Sequence, residues 1–137
     1  MQRARVLSDF DGRWDVTRQI TPAQGPQATF EGQAVWHPTR GGSDYAETGV
    51  LRLGNAAPMT AERRYFWADT LAVLFEDGRF FHQVPALGGQ AHHFCDPDTY
   101  VVTYDFSDWP VFRVSYAVTG PRKDYVMVSQ YSRALAG

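Results

Sequence analysis

Four polar side chains stand at positions where the surrounding alternation is apolar, so they could do chemistry inside this protein. They are Arg18, Glu47, His82 and His93. A buried charge is costly unless it is paired, so Arg18 and Glu47 could simply neutralise each other. Alternatively, Arg18 could bind the carboxylate of a ligand, because a guanidinium donates two parallel hydrogen bonds to such a group. The sequence leaves both readings open.

The two histidines could support several kinds of chemistry. An imidazole titrates near neutrality, so His82 or His93 could act as an acid or a base. Together with Cys95 they form a potential His₂Cys metal set, and either histidine could hold a haem. The register places Cys95 a full pleat away, so a hydrogen-bonded histidine pair and an inert, buried thiol are favoured. We therefore predict no metal and no cofactor.

Three tyrosines complete the predicted site. Tyr100, Tyr104 and Tyr116 alternate with smaller residues on two late strands, which places their rings on the inner face. They could supply hydroxyl groups to a ligand or simply pack as aromatic core. The predicted ligand-binding set is Arg18, Glu47, His82, His93, Tyr100, Tyr104 and Tyr116.

Strands must position these side chains, because apolar residues recur with a period of two along most of the chain. Trp14, Val16, Arg18 and Ile20 share one face of the first strand, and Gly32 suggests a bulge or bend in the second. The inner face of Ala61 to Ala68 cannot be assigned from the pattern. A short helix is expected between Arg3 and Phe10, with its apolar stripe formed by Val6, Leu7 and Phe10.

The middle of the chain predicts a defined register. Asp77-Gly78 is a two-residue hairpin signal, which pairs Glu76 with Arg79, Phe75 with Phe80, and Val73 with His82. A second turn at Gly88-Gly89 then places His82 opposite His93 and Phe80 opposite Cys95. On this register Phe80, His82, His93 and Cys95 face inward and His92 faces outward. A slip of one residue would exchange His92 and His93.

About ten strands joined by short turns form a meander, and a long meander removes its edges by closing. The predicted fold is therefore an all-β, antiparallel, up-and-down barrel of about 8–10 strands with a short N-terminal helix. At 137 residues, the chain is most simply one domain, residues 1–137.

Composition narrows the functional classes. A net charge of −2 gives no reason to expect nucleic acid or an anionic membrane surface. The single cysteine fits a reducing compartment, and no secretory signal or membrane-spanning run is apparent. The expected location is the cytoplasm.

Gly12, Trp14 and Arg133 resemble the first-strand and last-strand signature of the lipocalin and fatty-acid-binding (calycin) group. A resemblance to a bacterial family of lipocalin-like domains of unknown function, DUF6314, covers nearly the whole chain. The segments that carry it are Phe10-x-Gly12-Arg13-Trp14, Tyr45-x-Glu47-x-Gly49, Arg64-Tyr65-x-Trp67, Phe75-x-Asp77-Gly78-Arg79-x-Phe81-His82, His93-x-Cys95-x-x-Asp98-x-Tyr100, Gly120-Pro121-x-Lys123-Asp124-Tyr125 and Tyr131-x-Arg133. The resemblance implies a lipocalin-like barrel, with Arg133 covering Trp14 at its base, and implies no activity.

Three functional hypotheses follow. The first is a barrel that binds a small apolar or aromatic ligand, with or without an anionic group, in its interior. The second is a small isomerase-type or lyase-type enzyme that uses an inner histidine. The third is an interaction domain with a filled barrel, which could form a homodimer. A cavity of roughly 300 Å³ or more would favour the first two.

Overall fold

In a computed structural model that describes residues 3–135, ten strands form one antiparallel sheet, preceded by a short 3-10 helix, Leu7–Phe10. The strands are β1 (Gly12–Pro22), β2 (Ala28–Thr39), β3 (Gly42–Leu53), β4 (Met59–Ala68), β5 (Ala72–Phe75), β6 (Phe80–Gln83), β7 (Gly89–Cys95), β8 (Asp98–Asp105), β9 (Phe112–Thr119) and β10 (Asp124–Arg133). The alternation of apolar and polar residues explains why these segments are strands with one buried face.

The sheet curls into a nearly closed barrel. The first and last strands lie side by side in the middle of the strand order of the sheet. The strand order is β6-β5-β4-β3-β2-β1-β10-β9-β8-β7. Trp14 pairs with Arg133, and the ladder continues to Pro22 opposite Tyr125. The ends of the sheet, β6 and β7, approach each other, but no backbone ladder joins them in residues 3–135. We call this boundary between β6 and β7 the seam. The predicted all-β antiparallel barrel is confirmed.

One end of the barrel, the closed end, is filled by aromatic rings and sealed by Arg133. The guanidinium of Arg133 lies 4.0 Å from the centre of the Trp14 ring. It donates hydrogen bonds to the backbone carbonyls of Asp11 and Asp9 at 2.6 and 2.7 Å. The Trp14 indole N–H donates to the carbonyl of Phe10 at 2.8 Å. The prediction that Arg133 covers Trp14 is therefore confirmed, and its role here is structural.

The N-terminal helix is shorter than the sequence predicts. It forms a single 3-10 turn, Leu7–Phe10, rather than two turns from Arg3. Leu7 and Phe10 are buried as expected, but Val6 is exposed because it precedes the helix in extended conformation. Asp9 fixes the turn by accepting the Val6 N–H at 2.9 Å.

The β5–β6 hairpin forms at the predicted turn, but its register shifts. Val73 pairs with His82 as predicted, whereas a bulge places Leu74 opposite Phe80. The extra residue turns Phe81 into the core, and Phe80 is 52% exposed, so the inward placement of Phe80 is wrong. The predicted Glu76–Arg79 pair is also wrong, because Arg79 pairs with Asp77 at 2.7 Å.

The predicted pairing across the second turn is wrong, because β6 and β7 meet at the seam without forming a ladder. Cys95, expected on the inner face and buried, is exposed at the end of β7. His93 is half-buried and His92 exposed, which confirms the predicted choice between them. The second strand passes through Gly32 without a break in register, so no bulge forms there.

Candidate functional site

The centre of the barrel contains a buried ion pair between β1 and β3. Both residues follow the alternation that places Trp14 and Tyr45 inside. The Arg18 guanidinium donates to both carboxylate oxygens of Glu47, at 2.6 and 3.0 Å. Its third N–H group donates to the hydroxyl of Ser129 at 2.7 Å. Arg18 and Glu47 are only 6% and 2% exposed, so they depend on each other for charge compensation.

Two tyrosines extend this pair across the barrel. The Tyr45 hydroxyl donates to a Glu47 oxygen at 2.7 Å, and the Tyr45 and Tyr131 hydroxyls are 2.9 Å apart. Because the Tyr45 proton is directed to Glu47, the Tyr131 hydroxyl donates to Tyr45. Burial and the Glu47 charge raise the pKa of Tyr131 to about 12. Both phenols therefore stay protonated at neutral pH and act as hydrogen-bond donors.

On the opposite wall, His82 bonds to Tyr104. Nε2 of His82 lies 2.8 Å from the Tyr104 hydroxyl, and both residues are buried. Burial, followed by the nearby His93, lowers the pKa of His82 to about 4. His82 is therefore neutral at physiological pH. Its second nitrogen, Nδ1, is buried with no partner among residues 3–135.

The two walls enclose a small cavity of about 30 Å³. The residues around it are Arg18, Trp36, Tyr45, Glu47, Arg63, Tyr65, Trp67, Val73, His82, Tyr104, Phe112, Val114, Tyr116, Met127, Ser129 and Tyr131. This volume has room for about two water molecules. Side chains therefore fill most of the interior. The volume of the cavity is well below that expected for an open, ligand-binding barrel.

Arg63 is the main interior residue that the sequence interpretation missed. It lies on β4 opposite Glu47 of β3, and its half-buried side chain lines the cavity. Its hydrogen bond is a long one, 3.6 Å, to the sulfur of Met127. The alignment of β4 with β3, which sets Arg63 opposite Glu47, was the signal that could have placed Arg63 at the cavity. Tyr45, Ser129 and Tyr131 were also missed.

Arg63 and Tyr65 also line a groove on the outside of the barrel, which we call the outer groove. Its lining residues are Arg63, Arg64, Tyr65, Phe75, Glu76, Asp77 and Arg79, around about 390 Å³. Because Arg63 and Tyr65 border both spaces, their side chains lie between the cavity and the outer groove. Arg63 is thus reachable from either side.

The structure brings together five of the seven residues predicted as ligand-binding. Arg18, Glu47, His82, Tyr104 and Tyr116 line the cavity. The remaining two lie beside it and pack against Phe81, with ring centroids 5.4 Å away for His93 and 5.6 Å away for Tyr100. The Tyr100 hydroxyl instead accepts a hydrogen bond from Lys123 at 3.3 Å. Whether any of the seven binds a ligand stays a prediction.

Potential metal ligands do not converge in the described structure. Between residues 3 and 135, no three side chains of His, Cys, Asp or Glu gather closely enough to hold an ion. In particular, Cys95 lies at the surface, whereas His82 is buried. The same part of the chain contains no helix able to cross a membrane.

An up-and-down antiparallel barrel whose base is sealed by a tryptophan and a late arginine is a lipocalin-like barrel. The chain belongs to DUF6314, a family of unknown function, which matches residues 10–133. Its fold is similar to that of the S-type phycobiliprotein lyase CPES from Guillardia theta, with a TM-score of 0.63 and 9% sequence identity. That similarity covers 96% of this chain and 92% of the lyase. No curated protein in the comparison matches the chain.

Proposed function

We propose that this protein binds a small apolar or aromatic molecule, with one group of that molecule in the cavity at the centre of its barrel. The observation that carries the proposal is a pair of buried polar atoms without partners at one cavity, Nδ1 of His82 and Nε1 of Trp36. Leaving such an atom unsatisfied costs about 1–3 kcal/mol. Water has room to satisfy both atoms in the free protein, and a ligand that replaces it would gain their hydrogen bonds.

Aromatic rings around the cavity support an apolar or aromatic ligand. Trp36, Trp67 and Phe112 border it toward the closed end, and Tyr65 and Tyr116 border it on the other side. Flat rings provide apolar contact area, while their edges and hydroxyl groups orient a ligand. The similarity to a phycobiliprotein lyase is one of fold alone, so it assigns no ligand to this chain.

The electrostatics favour binding over acid–base catalysis. An efficient general base has a pKa close to the working pH, whereas that of His82 is about 4. The Tyr104 hydroxyl is an equally poor acid, because burial raises its pKa well above the ordinary value. In this proposal the His82–Tyr104 pair orients a ligand.

Native mass spectrometry of protein purified from cells, followed by a ligand-observed NMR screen of small aromatic compounds, tests this proposal. The best compound is then titrated against Val114→Ile, which adds one methylene at the cavity wall, and against Val126→Ile on the outer face of β10. We expect Val114→Ile to weaken binding by about tenfold, since the added methylene takes up about the volume of one of the two waters that the cavity can hold. We expect Val126→Ile to bind like the wild type.

Two results would overturn the proposal. One is the absence of any retained molecule and of any hit in the screen. The other is a hit that binds equally well to Val114→Ile, which would place it on the surface. Either result would favour the filled-barrel interaction domain.

A further inference from the structure

We propose that the ligand carries a carboxylate or a similar acidic group and that Arg63 binds this group. This inference rests on the proposed function, because it assigns the charge of a molecule bound at the same cavity. It moves the anion-binding role away from Arg18, the residue that the sequence suggested for it.

The balance of charge around the cavity supports this assignment. Three charged side chains line it: Arg18, Glu47 and Arg63. The bidentate contact between Arg18 and Glu47 uses both carboxylate oxygens and neutralises that pair. Across residues 3–135, no carboxylate lies within 4.0 Å of Arg63. The cavity therefore keeps one uncompensated positive charge in a partly desolvated position, where a ligand anion would be strongly favoured.

The hydrogen-bonding groups around the cavity point the same way. The indole N–H of Trp36 can only donate, and it has no acceptor in the described structure. The Arg63 guanidinium also only donates; within residues 3–135 it donates to the sulfur of Met127, a weak acceptor, and interacts with the Tyr65 hydroxyl. The carboxylate that lines the cavity, Glu47, is already engaged by Arg18 and Tyr45. A site with surplus donors and a surplus positive charge selects a ligand group that is an acceptor and an anion.

The size of the two spaces suggests how such a ligand lies. About 30 Å³ can hold a group of about the size of a carboxylate, but not an aromatic ring as well. The outer groove beyond Arg63 and Tyr65 offers about 390 Å³ and contains the half-buried ring of Phe75. We infer that the acidic group enters the cavity at Arg63, while the apolar body rests against Tyr65 and Phe75.

Benzoate and benzamide form a suitable pair of probes, since they share shape and differ in charge. Each is titrated into ¹⁵N-labelled protein, and the Trp36 indole N–H signal reports on the cavity. We expect benzoate to shift this signal saturably and to bind at least about tenfold more tightly than benzamide, because a charge-assisted, bidentate contact forms only with the carboxylate.

Substitutions at adjacent positions of β4 identify the arginine responsible. We expect Arg63→Gln to abolish the preference for benzoate and Arg63→Lys to retain part of it. Arg64→Gln is the matched control, because Arg64 is exposed and also lines the outer groove. It removes the same charge from the surface and should keep the preference. The circular dichroism spectrum and unfolding midpoint of each variant establish that it is folded before binding is compared.

The outcomes separate this inference from the proposed function. If benzamide binds as tightly as benzoate, or if folded Arg63→Gln keeps the preference, Arg63 is not an anion site although the barrel still binds a ligand. If neither probe shifts the Trp36 signal and the aromatic screen also finds no interior ligand, the proposed function fails as well. A preference lost equally in Arg64→Gln would reduce the effect to general surface charge and overturn the inference.

Discussion

At the scale of single residues, the interior is controlled by groups that cannot be removed one at a time. Arg18 and Glu47 are both buried and joined by two hydrogen bonds. Taking two charges out of water costs several kcal/mol, which their attraction offsets only while both are present. Losing one partner leaves the other charge stranded in the core. Arg63 differs, because it is half-buried and water in the outer groove can reach it.

We expect Glu47→Gln to lower the free energy of unfolding by about 3 kcal/mol or more, because it strands the buried Arg18 charge. Replacing both residues, Arg18→Met with Glu47→Gln, should recover much of this loss. Urea unfolding of the two variants measures the difference. Arg79→Gln, which breaks the exposed pair with Asp77, serves as control and should have little effect. Equal stability of Glu47→Gln and the wild type would contradict the structural role of the pair.

Stability should also depend on the protonation of His82. Its pKa is about 4 in the folded protein, against 6.5 for a free histidine. Between these values the unfolded chain binds more protons than the folded one, so stability falls as the pH falls from about 6.5 toward 4. The loss attributable to His82 should reach about 3 kcal/mol. Tyr104 and Tyr116 lie nearby and do not titrate in this range, and His93 is the other ionisable side chain that acts on His82.

Unfolding curves at several pH values compare the wild type with His82→Gln. The variant should lose most of the slope between pH 6.5 and 4. His37→Gln, at an exposed position of β2, should keep the slope. An unchanged slope in His82→Gln would show that other groups cause the acid sensitivity.

At the scale of elements, the paired strands β2 and β3 approach each other closely at two facing glycines. Gly32 lies directly opposite Gly49, and the Phe30 ring lies over both. A Cβ at Gly32 would run into the backbone oxygen of Thr48, well inside van der Waals contact. A Cβ at Gly49 would likewise meet the oxygen of Glu31. The absence of a side chain at both positions therefore lets the two strands approach this closely.

We expect Gly32→Ala to destabilise the protein by about 1–3 kcal/mol, because the added methyl forces backbone atoms apart. Gln33→Ala, at the next and exposed position of β2, should change stability little. Thermal or urea unfolding of both variants measures the contrast. A Gly32→Ala protein as stable as the wild type would show that β2 and β3 can move apart at this position without strain.

The β5–β6 hairpin shows which local features sequence reasoning can and cannot reach. The Asp77-Gly78 turn and the pairing of Val73 with His82 follow from turn chemistry and alternation. The bulge that turns Phe81 inward does not, because Phe80 and Phe81 are chemically identical and alternation alone does not select between them. One extra residue then reverses the face of every residue on one side of it.

At the scale of the whole molecule, the fold was more predictable than the site. Alternation and the residues shared with the calycin group predicted the barrel and its sealed base. Alternation alone did not place Arg63, because Arg63-Arg64 and Tyr65-Phe66 put similar residues on opposite faces of β4, and only the pairing of Arg63 with Glu47 separates the two faces. The seam was equally hidden, since local turn signals cannot reveal that two consecutive strands, β6 and β7, fail to pair.

The seam should be the most dynamic part of the barrel wall. Side-chain contacts such as Phe81 with His93 close it, while within residues 3–135 no strand pairs with the backbone amides along its two edges. We expect amides of β6 and β7 to exchange with deuterium at least about tenfold faster than those of β1 and β10, which have a ladder on both sides. Hydrogen exchange followed by NMR measures this difference. Equal protection in the four strands would indicate that the seam is as stable as a paired ladder.

The central position of β1 and β10 also determines how the protein could be divided. A cut in the loop that contains Leu87, which is 67% exposed, would divide the chain into β1–β6 and β7–β10. It would leave every pairing between neighbouring strands intact. The two fragments would still be joined by the nine residue pairs from Trp14–Arg133 to Pro22–Tyr125. Neither fragment alone contains all the aromatic rings of the closed end, because Trp14 and Trp36 lie in one fragment and Phe112 lies in the other. The barrel is therefore suited to fragment complementation, with reassembly reported by the packing of those rings.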